Sequence, residues 1–432
     1  MTAIRISATG DSFMTRFLPE KGYEDQKELA ELISAADIRF NNLEFTAHKQ
    51  EGAPAAVSGG TWAMSDPEIL DDLNKFGFTV YNTANNHSLD YSQGGVLATL
   101  RHLKERNMPA FGTGATLDEA AAPLYVKAAG KTVAFIGLCG SPKDFQPAGN
   151  PSSKVIGRPG LNPLRAKTVY HVTEDEYAQL QKIAAETHMN ASTNYSIANG
   201  YTSKPPAGTF SFGSITFKKD EASFKETVPN EKDVKRTLAG IAEAKKKADL
   251  VFISVHSHAF DGECNDDPAQ FMKTFCHKMI DGGADGIIGH GPHVMRGIEI
   301  YKGKPIFYSL GNFIFQTETV KYQPAEAFTN KGLEAEAEVK DLMLKRSNND
   351  TTGYAAIVDI WRSVVADFTM EDDGTLKEIR LYPISLGMGT PWEKRGWPHL
   401  SHDEETLRHM AEMSVAFGTK VEIENGEGVI RL

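Results

Sequence analysis

Residues 286–315 read GIIGHGPHVMRGIEIYKGKPIFYSLGNFIF. A short apolar run, Gly286 to Gly289, predicts a strand ending at His290. The following turn, Gly291-Pro292-His293, is stiffened by its proline, and its glycines permit close backbone approach. From Ile298 to Ser309, apolar residues flank Lys302-Gly303, the pattern of a hairpin. A strand that delivers two histidines into one tight turn is the sharpest feature of the chain, although an ordinary loop also accommodates it.

The same arrangement recurs upstream. Leu250 to Val255 is an apolar strand running into His256-Ser257-His258. Phe78 to Thr83 ends at Ala84-Asn85-Asn86-His87, Ala36 to Leu43 at Glu44, and Ile4 to Thr9 at Gly10-Asp11-Ser12. Helical stripes lie between them: Ile69, Leu70, Leu73 and Phe76 after Asp66-Pro67, then Val96, Leu97, Leu100 and Leu103, then Val234, Leu238 and Ile241, then Phe271, Phe275 and Met279 after Asp267-Pro268. Strand–helix alternation of this kind predicts the α/β class. In open α/β sheets ligands bind beyond the carboxyl ends of the strands, so the polar clusters would converge there. Carboxylate, amide and imidazole donors together suit Mn, Fe or Zn better than Ca or Mg. Each element alone is weak. A Gly-Asp after a strand is usually a turn, and Asn85-Asn86-His87 serves equally well to cap a helix. Alternation along an extended chain puts His256 and His258 on opposite faces, one of them exposed.

The middle of the chain differs. Residues 141–228 are rich in Pro, Gly, Ser and Asn, with one helical stretch from Glu174 to His188. So long an interruption reads as an insertion, a lid or a small subdomain shaping substrate access. Residues 1–330 are read as one domain carrying this insertion. Residues 331–432 supply two strands joined at Asp373-Gly374, a helix and a hairpin that complete the same domain.

The composition narrows the classes. With 432 residues, 41% hydrophobic and 24% charged, the chain has material for a sizeable core. A net charge of −11 disfavours nucleic acid and anionic membrane surfaces, so an anionic substrate must be met by local cations. Three cysteines without CxxC spacing do not build a disulfide framework. No run of about 18 apolar residues predicts an integral membrane segment. As written, the chain is expected to be cytoplasmic, or cell-surface or periplasmic if a signal or anchor segment has been trimmed.

GDSFM (10–14), NNLEF (41–45), NTANNHSLDY (82–91), GRPGLNPLR (157–165), VHSH (255–258) and residues 289–315 together resemble the bacterial capsule-synthesis (CapA-type, poly-γ-glutamate) family of the calcineurin-like metallophosphatase superfamily. The resemblance spans roughly residues 4 to 320. It implies a four-layer αββα sandwich with metals at the strand ends. It also implies that Asp11, Glu44 and His293 serve a first metal, and Glu44, Asn86, His256 and His290 a second. His87 would assist the leaving group and Asn86 would touch both metal and phosphate. The sequence departs from the superfamily pattern in three places. Asp-x-His becomes Asp11-Ser12-Phe13, GHGPH carries one residue more than Gly-His-x-His, and His258 stands where glycine is usual.

The resulting expectation is a metal-dependent, phosphoesterase-type hydrolase. It uses Mn, with Fe or Zn as alternatives, in one tight site and a weaker second. Hydrolysis of a γ-glutamyl amide and non-catalytic binding or assembly of an acidic polymer are the rival readings. The partners expected are a small or polymeric anionic substrate and the capsule machinery. Arg158, Arg165, Arg296 and His258 are the candidates for binding that substrate.

Overall fold

The structure is a computed structural model that describes residues 3–371 and 373–432. Two large sheets carry the fold. In the first, Ile4–Phe13 lies between the parallel strand Ile38–Leu43 and the antiparallel strand Arg362–Met370. Val80–Asn82 and Ala110–Phe111 extend it on one side, and Leu376–Ser385 and Glu427–Arg431 on the other. Asn312–Phe315 also pairs with the far end of Ile4–Phe13. In the second sheet, Leu250–His256 lies between the parallel strands Lys131–Cys139 and Gly286–His290. The hairpin Met295–Tyr301 with Lys304–Leu310 and the strand Leu124–Ala128 complete it.

Strand alternation sorts the apolar residues into layers. Leu250 and Phe252 point inward, with Phe40, Phe135, Ile288 and Phe307, into a core between the two sheets. Val251, Ile253 and Val255 point outward, under the helices Glu231–Ala244 and Gln270–Asp281. On the far side of the first sheet, the helices Gln26–Ser34 and Ile69–Asn74 bury Leu29, Ile33, Leu70 and Leu73 with Phe13 and Leu43. The result is the four-layer αββα sandwich, and each buried large apolar side chain contributes about 1.5–3 kcal/mol.

Helix Glu231–Ala244 shows how local sequence sets an element. Asn230 accepts from the Lys232 and Asp233 amides at its start, and Val234, Thr237, Ile241 and Ala244 recur at helical spacing along its buried face. Two helices begin later than Asp66-Pro67 and Asp267-Pro268 suggest, at Ile69 and Gln270; Pro67 sits in the preceding turn and Pro268 in an isolated antiparallel bridge with Phe260. The middle segment is more ordered than its composition implies. It holds a four-stranded sheet, Thr209–Phe212, Ile215–Lys219, Ala166–Val172 and Phe224–Pro229, and the helices Glu174–Glu186 and Ala191–Ala198. Tyr170 and Phe224 are exposed on it, so the alternation of apolar and polar residues that betrays a strand is blurred.

Parallel register does the positioning. Asp11 pairs with Asn42 and Asn42 with Asn82, while His256 pairs with both Cys139 and His290. The polar rows lie at the carboxyl ends of both sheets, and the two sheets bring them face to face.

Candidate metal centre

Two carboxylates sit at the centre, both fully buried. Asp11 is held by its surroundings: Oδ1 accepts from Asn42 Nδ2 at 2.7 Å and Oδ2 from the Gly291 amide at 2.9 Å. Asn42 in turn accepts from Asn82 Nδ2 at 2.7 Å, so a relay of amides fixes the aspartate. Glu44 is the opposite case. Neither of its oxygens, nor Asn86 Oδ1, has a hydrogen-bond partner among the described residues. Burial, followed by the charges of Asp11 and Asp90, raises the Glu44 carboxyl well above its ordinary range. A buried carboxylate with no donor is costly unless a cation meets it.

Four imidazoles surround this pair. His256 Nδ1 lies 3.0 Å from His290 Nδ1 and 3.6 Å from Asp11 Oδ1, and its Nε2 lies 3.5 Å from Glu44 Oε1 and 3.3 Å from His258 Nε2. His290 turns Nδ1 toward Asp11 at 3.5 Å, with Ser254 Oγ 2.8 Å from its Nε2. An outer partner of this kind fixes ring orientation at metal sites. His293 Nδ1 is 3.7 Å from Asp11 Oδ2 and 3.8 Å from Glu44 Oε2. It gets there on a left-handed backbone, φ 62°, which is rare for a residue with a Cβ and clusters at functional sites. Gly291, at φ 121°, permits the turn: a Cβ there would lie 2.7 Å from the Ser257 amide nitrogen.

This donor set fits a divalent cation. The triplets Asp11–His256–His290, Glu44–His256–His258 and Asp11–Glu44–His293 each bring three ligand atoms within 4.8 Å of one another. Two ligands about 2.1 Å from one ion at a tetrahedral angle are about 3.4 Å apart. The separations of His256 and His290 from the two carboxylates, 3.5–3.6 Å, are close to that spacing and beyond ordinary hydrogen bonds. Burial lowers all four histidines, His290 to about 3 and His293 to about 4, so each ring is neutral with one unprotonated nitrogen; His293 Nδ1 donates to Asn312 Oδ1 at 2.9 Å, which leaves Nε2 as its lone-pair atom.

The neutral rings set the acid behaviour of the metal-free protein. Unfolded, each histidine takes a proton near pH 6.5; folded, it resists. The folded state is therefore penalised as pH falls below about 6.5, and each neutral histidine adds to the penalty. Glu44, raised, acts oppositely: it destabilises the fold as pH climbs above the usual carboxylate range. With four histidines against one glutamate, the thermal midpoint of chelated protein, followed by circular dichroism, is expected to drop steeply from about pH 6.5 to about pH 5. A flat profile there would contradict neutral burial.

Beside the cluster, His87 Nδ1 is 2.6 Å from Asp90 Oδ2, and both residues are buried. Asp90 also accepts from the Ala63 amide at 2.8 Å and the Gly59 amide at 3.3 Å. The Gly59 loop lies directly on the pair. A Cβ at Gly59 would be 2.6 Å from Asn86 Nδ2 and 2.8 Å from His87 Nε2. Asp90 stands three residues after His87 in NNHSLDY, and that spacing was its only signal. Gly59 offered none. Phe13 packs edge-on against the His87 ring at 5.2 Å.

The expectation that His256 and His258 face opposite ways is overturned. The strand ends at His256, alternation stops, and the turn at Ser257 brings the two Nε2 atoms together. His290 groups with Asp11 and His256, while Glu44 groups with His256 and His258. The arginines are dispersed. Arg158 is exposed and donates to the Pro147 carbonyl. Arg165 forms a bidentate pair with Asp233. Arg296 is buried, pushed down to about 10 by burial, and holds Asn265 through its backbone and side-chain oxygens. A cavity of about 660 Å³ runs between the inserted sheet and the main body, with His258 and Ser141 on one wall and Arg165, Tyr170 and Lys225 on the other.

Residues 5–317 match the profile of the bacterial capsule synthesis protein family. The chain belongs to that family. An uncharacterised Sinorhizobium fredii protein, y4sH, is 31% identical over 98% of this chain and 92% of its own length. The Bacillus subtilis PGA biosynthesis protein CapA is 27% identical over 72% of this chain and 62% of its own, and the Bacillus anthracis capsule biosynthesis protein CapA is 25% identical over 57% and 43%. A solved structure of a hypothetical protein from Thermus thermophilus aligns over 88% of this chain and 98% of its own, with a TM-score of 0.40 and 12% identity. Among the described residues no helix is long and apolar enough to cross a membrane, and all three cysteines are free.

Proposed function

We propose that this capsule-synthesis family member is a metal-dependent hydrolase acting on an anionic substrate of capsule or poly-γ-glutamate assembly. A phosphoester is the first candidate and a γ-glutamyl amide the second. The observation that carries the reading is the pair of orphaned Glu44 oxygens and the orphaned Asn86 Oδ1, buried among neutral imidazoles. Asp11, Glu44, Asn86, His256, His290 and His293 would hold Mn, or else Fe or Zn, with His258 completing a second, weaker position. A divalent ion supplies Lewis acidity: it polarises the substrate oxygen and brings water toward a near-neutral pKa.

The chain's own residues supply the rest. His87, oriented by Asp90, delivers a proton to the leaving oxygen or nitrogen. Phe13 and the Gly59 loop exclude water around that ring. The long cavity opening at His258 suits an extended anionic chain, and on this reading the insertion selects what enters.

The test is reconstitution. Chelated protein, reloaded separately with Mn, Fe and Zn, is assayed on phosphomonoesters, phosphodiesters and γ-glutamyl peptides. Turnover is expected with Mn and is expected to vanish with chelator. A loaded protein that turns over nothing yet binds poly-γ-glutamate would replace the hydrolase with an assembly factor.

A further inference from the structure

A second cavity, of about 200 Å³, adjoins the cluster through Tyr354. Arg346, Tyr354, Thr317, Thr352, Glu318 and Met343 line it. It lies largely beyond residues 5–317 that define the family. Tyr354 joins it to the centre: its ring packs edge-on to His293 at 5.4 Å and to Phe315 at 5.4 Å. Arg346 approaches from the opposite wall. It donates to Thr61 Oγ1, and a Cβ at Gly60 would lie 3.4 Å from its terminal nitrogen. Since Gly59 lies on the Asn86 and His87 side chains, one short loop connects Arg346 to the reacting end of the site.

The cavity holds one acid, Glu318, and its ion-pair partner is Arg395, not Arg346. Glu318 is neutralised from behind, its Oε1 2.8 Å from Arg395 Nη2, and Arg395 also reaches Asp350 at 3.2 Å. Arg346 makes no ion pair among the described residues, and its one hydrogen bond goes to a neutral hydroxyl. The Thr317 and Thr352 hydroxyls make no hydrogen bond to described residues and remain open to a ligand. A guanidinium fork with spare donors, flanked by two hydroxyls, is built to receive an oxyanion. The volume suits a group the size of one acidic side chain, well short of a drug-sized pocket.

We propose that Arg346, with Thr317, Thr352 and the Tyr354 ring, forms a subsite for a carboxylate or phosphate of the substrate. The scissile bond then lies over the cluster; only that placement rests on the hydrolase reading, because the anion binding needs no turnover. The subsite would fix one acidic terminus and set how far along the substrate the cut falls.

Calorimetric titration of the intact protein with glutarate and with inorganic phosphate tests this, in chelated and Mn-loaded forms. In the chelated form at least one anion is expected to bind. Arg346→Gln is expected to weaken it about tenfold or more, the loss of one charge-assisted hydrogen bond of about 1.5–3 kcal/mol. Arg346→Lys, which keeps the charge and loses the fork, should fall between. Mn stoichiometry and thermal midpoint are expected to stay at the wild-type values in both variants, which separates lost binding from lost fold. Glutarate alone binding identifies a carboxylate terminus, and phosphate alone a phosphoryl group. If neither anion binds chelated wild type, or Arg346→Gln binds as wild type does, the subsite is refuted, whatever the hydrolase assays show.

Discussion

His256→Ala is expected to abolish tight metal binding. His256 belongs to two of the three ligand triplets, touching Asp11 through Nδ1 and Glu44 through Nε2, so its removal strips an imidazole from both sides of the cluster at once. Losing an outer partner of a metal ligand costs about 10–100-fold in affinity, and loss of a shared ligand should exceed that. The fully buried ring leaves a polar hole beside a carboxylate that already lacks donors. Equilibrium dialysis against Mn, read by elemental analysis, measures the loss. His258→Ala should have a smaller effect, because that residue serves one triplet only and is partly exposed. Full metal content in His256→Ala would remove the cluster as the binding site.

The second large effect concerns proton delivery. Asp90→Asn is expected to lower kcat by about 10²–10⁴, the span of a general acid's contribution, while KM and metal content stay near wild type. The carboxylate holds the Nδ1 side of His87 at 2.6 Å and so leaves Nε2, which lies beneath Gly59, as the nitrogen to carry the transferred proton. An amide presents a donor or an acceptor there according to how it turns, and the Ala63 and Gly59 amides compete for its oxygen. The tautomer of His87 is then no longer enforced. Asp90→Glu keeps the charge and should retain more activity than Asp90→Asn if orientation is what matters. Steady-state kinetics on whichever substrate the reconstitution identifies will tell; an unchanged kcat would leave Asp90 a scaffold for the Gly59 loop and nothing more.

The layers and the donors were legible for a common reason. Strands buried on both faces, such as Leu250–His256, are continuous apolar runs, and any polar residue at their ends stands out. What escaped was set by contacts between distant segments. Gly59 looks like any loop glycine until Asn86 and His87 are found beneath it. Asp90 reads as a turn residue until its carboxylate is seen facing His87. The direction of His258 depended on a turn one residue long, where period-two reasoning no longer applies. The arginines misled for a related reason: a guanidinium is only available to a ligand if no acid is near. Sequence could not show that Arg165 pairs with Asp233, that Arg296 is held by Asn265, or that Arg346 makes no ion pair among the described residues although Glu318 lines the same cavity.

The donors are divided between the sheets. Asp11 and Glu44 rise from one sheet and His256, His290 and His293 from the other. A cation among them is therefore a clasp across the sandwich, joining stretches of chain nearly three hundred residues apart. Its grip scales with supply: a ligand at about a hundred times its dissociation constant adds about 2.7 kcal/mol to the folded state. Metal scarcity would then loosen the body of the protein as well as silence its chemistry, making the molecule's lifetime in the cell a reading of how much metal the cell has to spare.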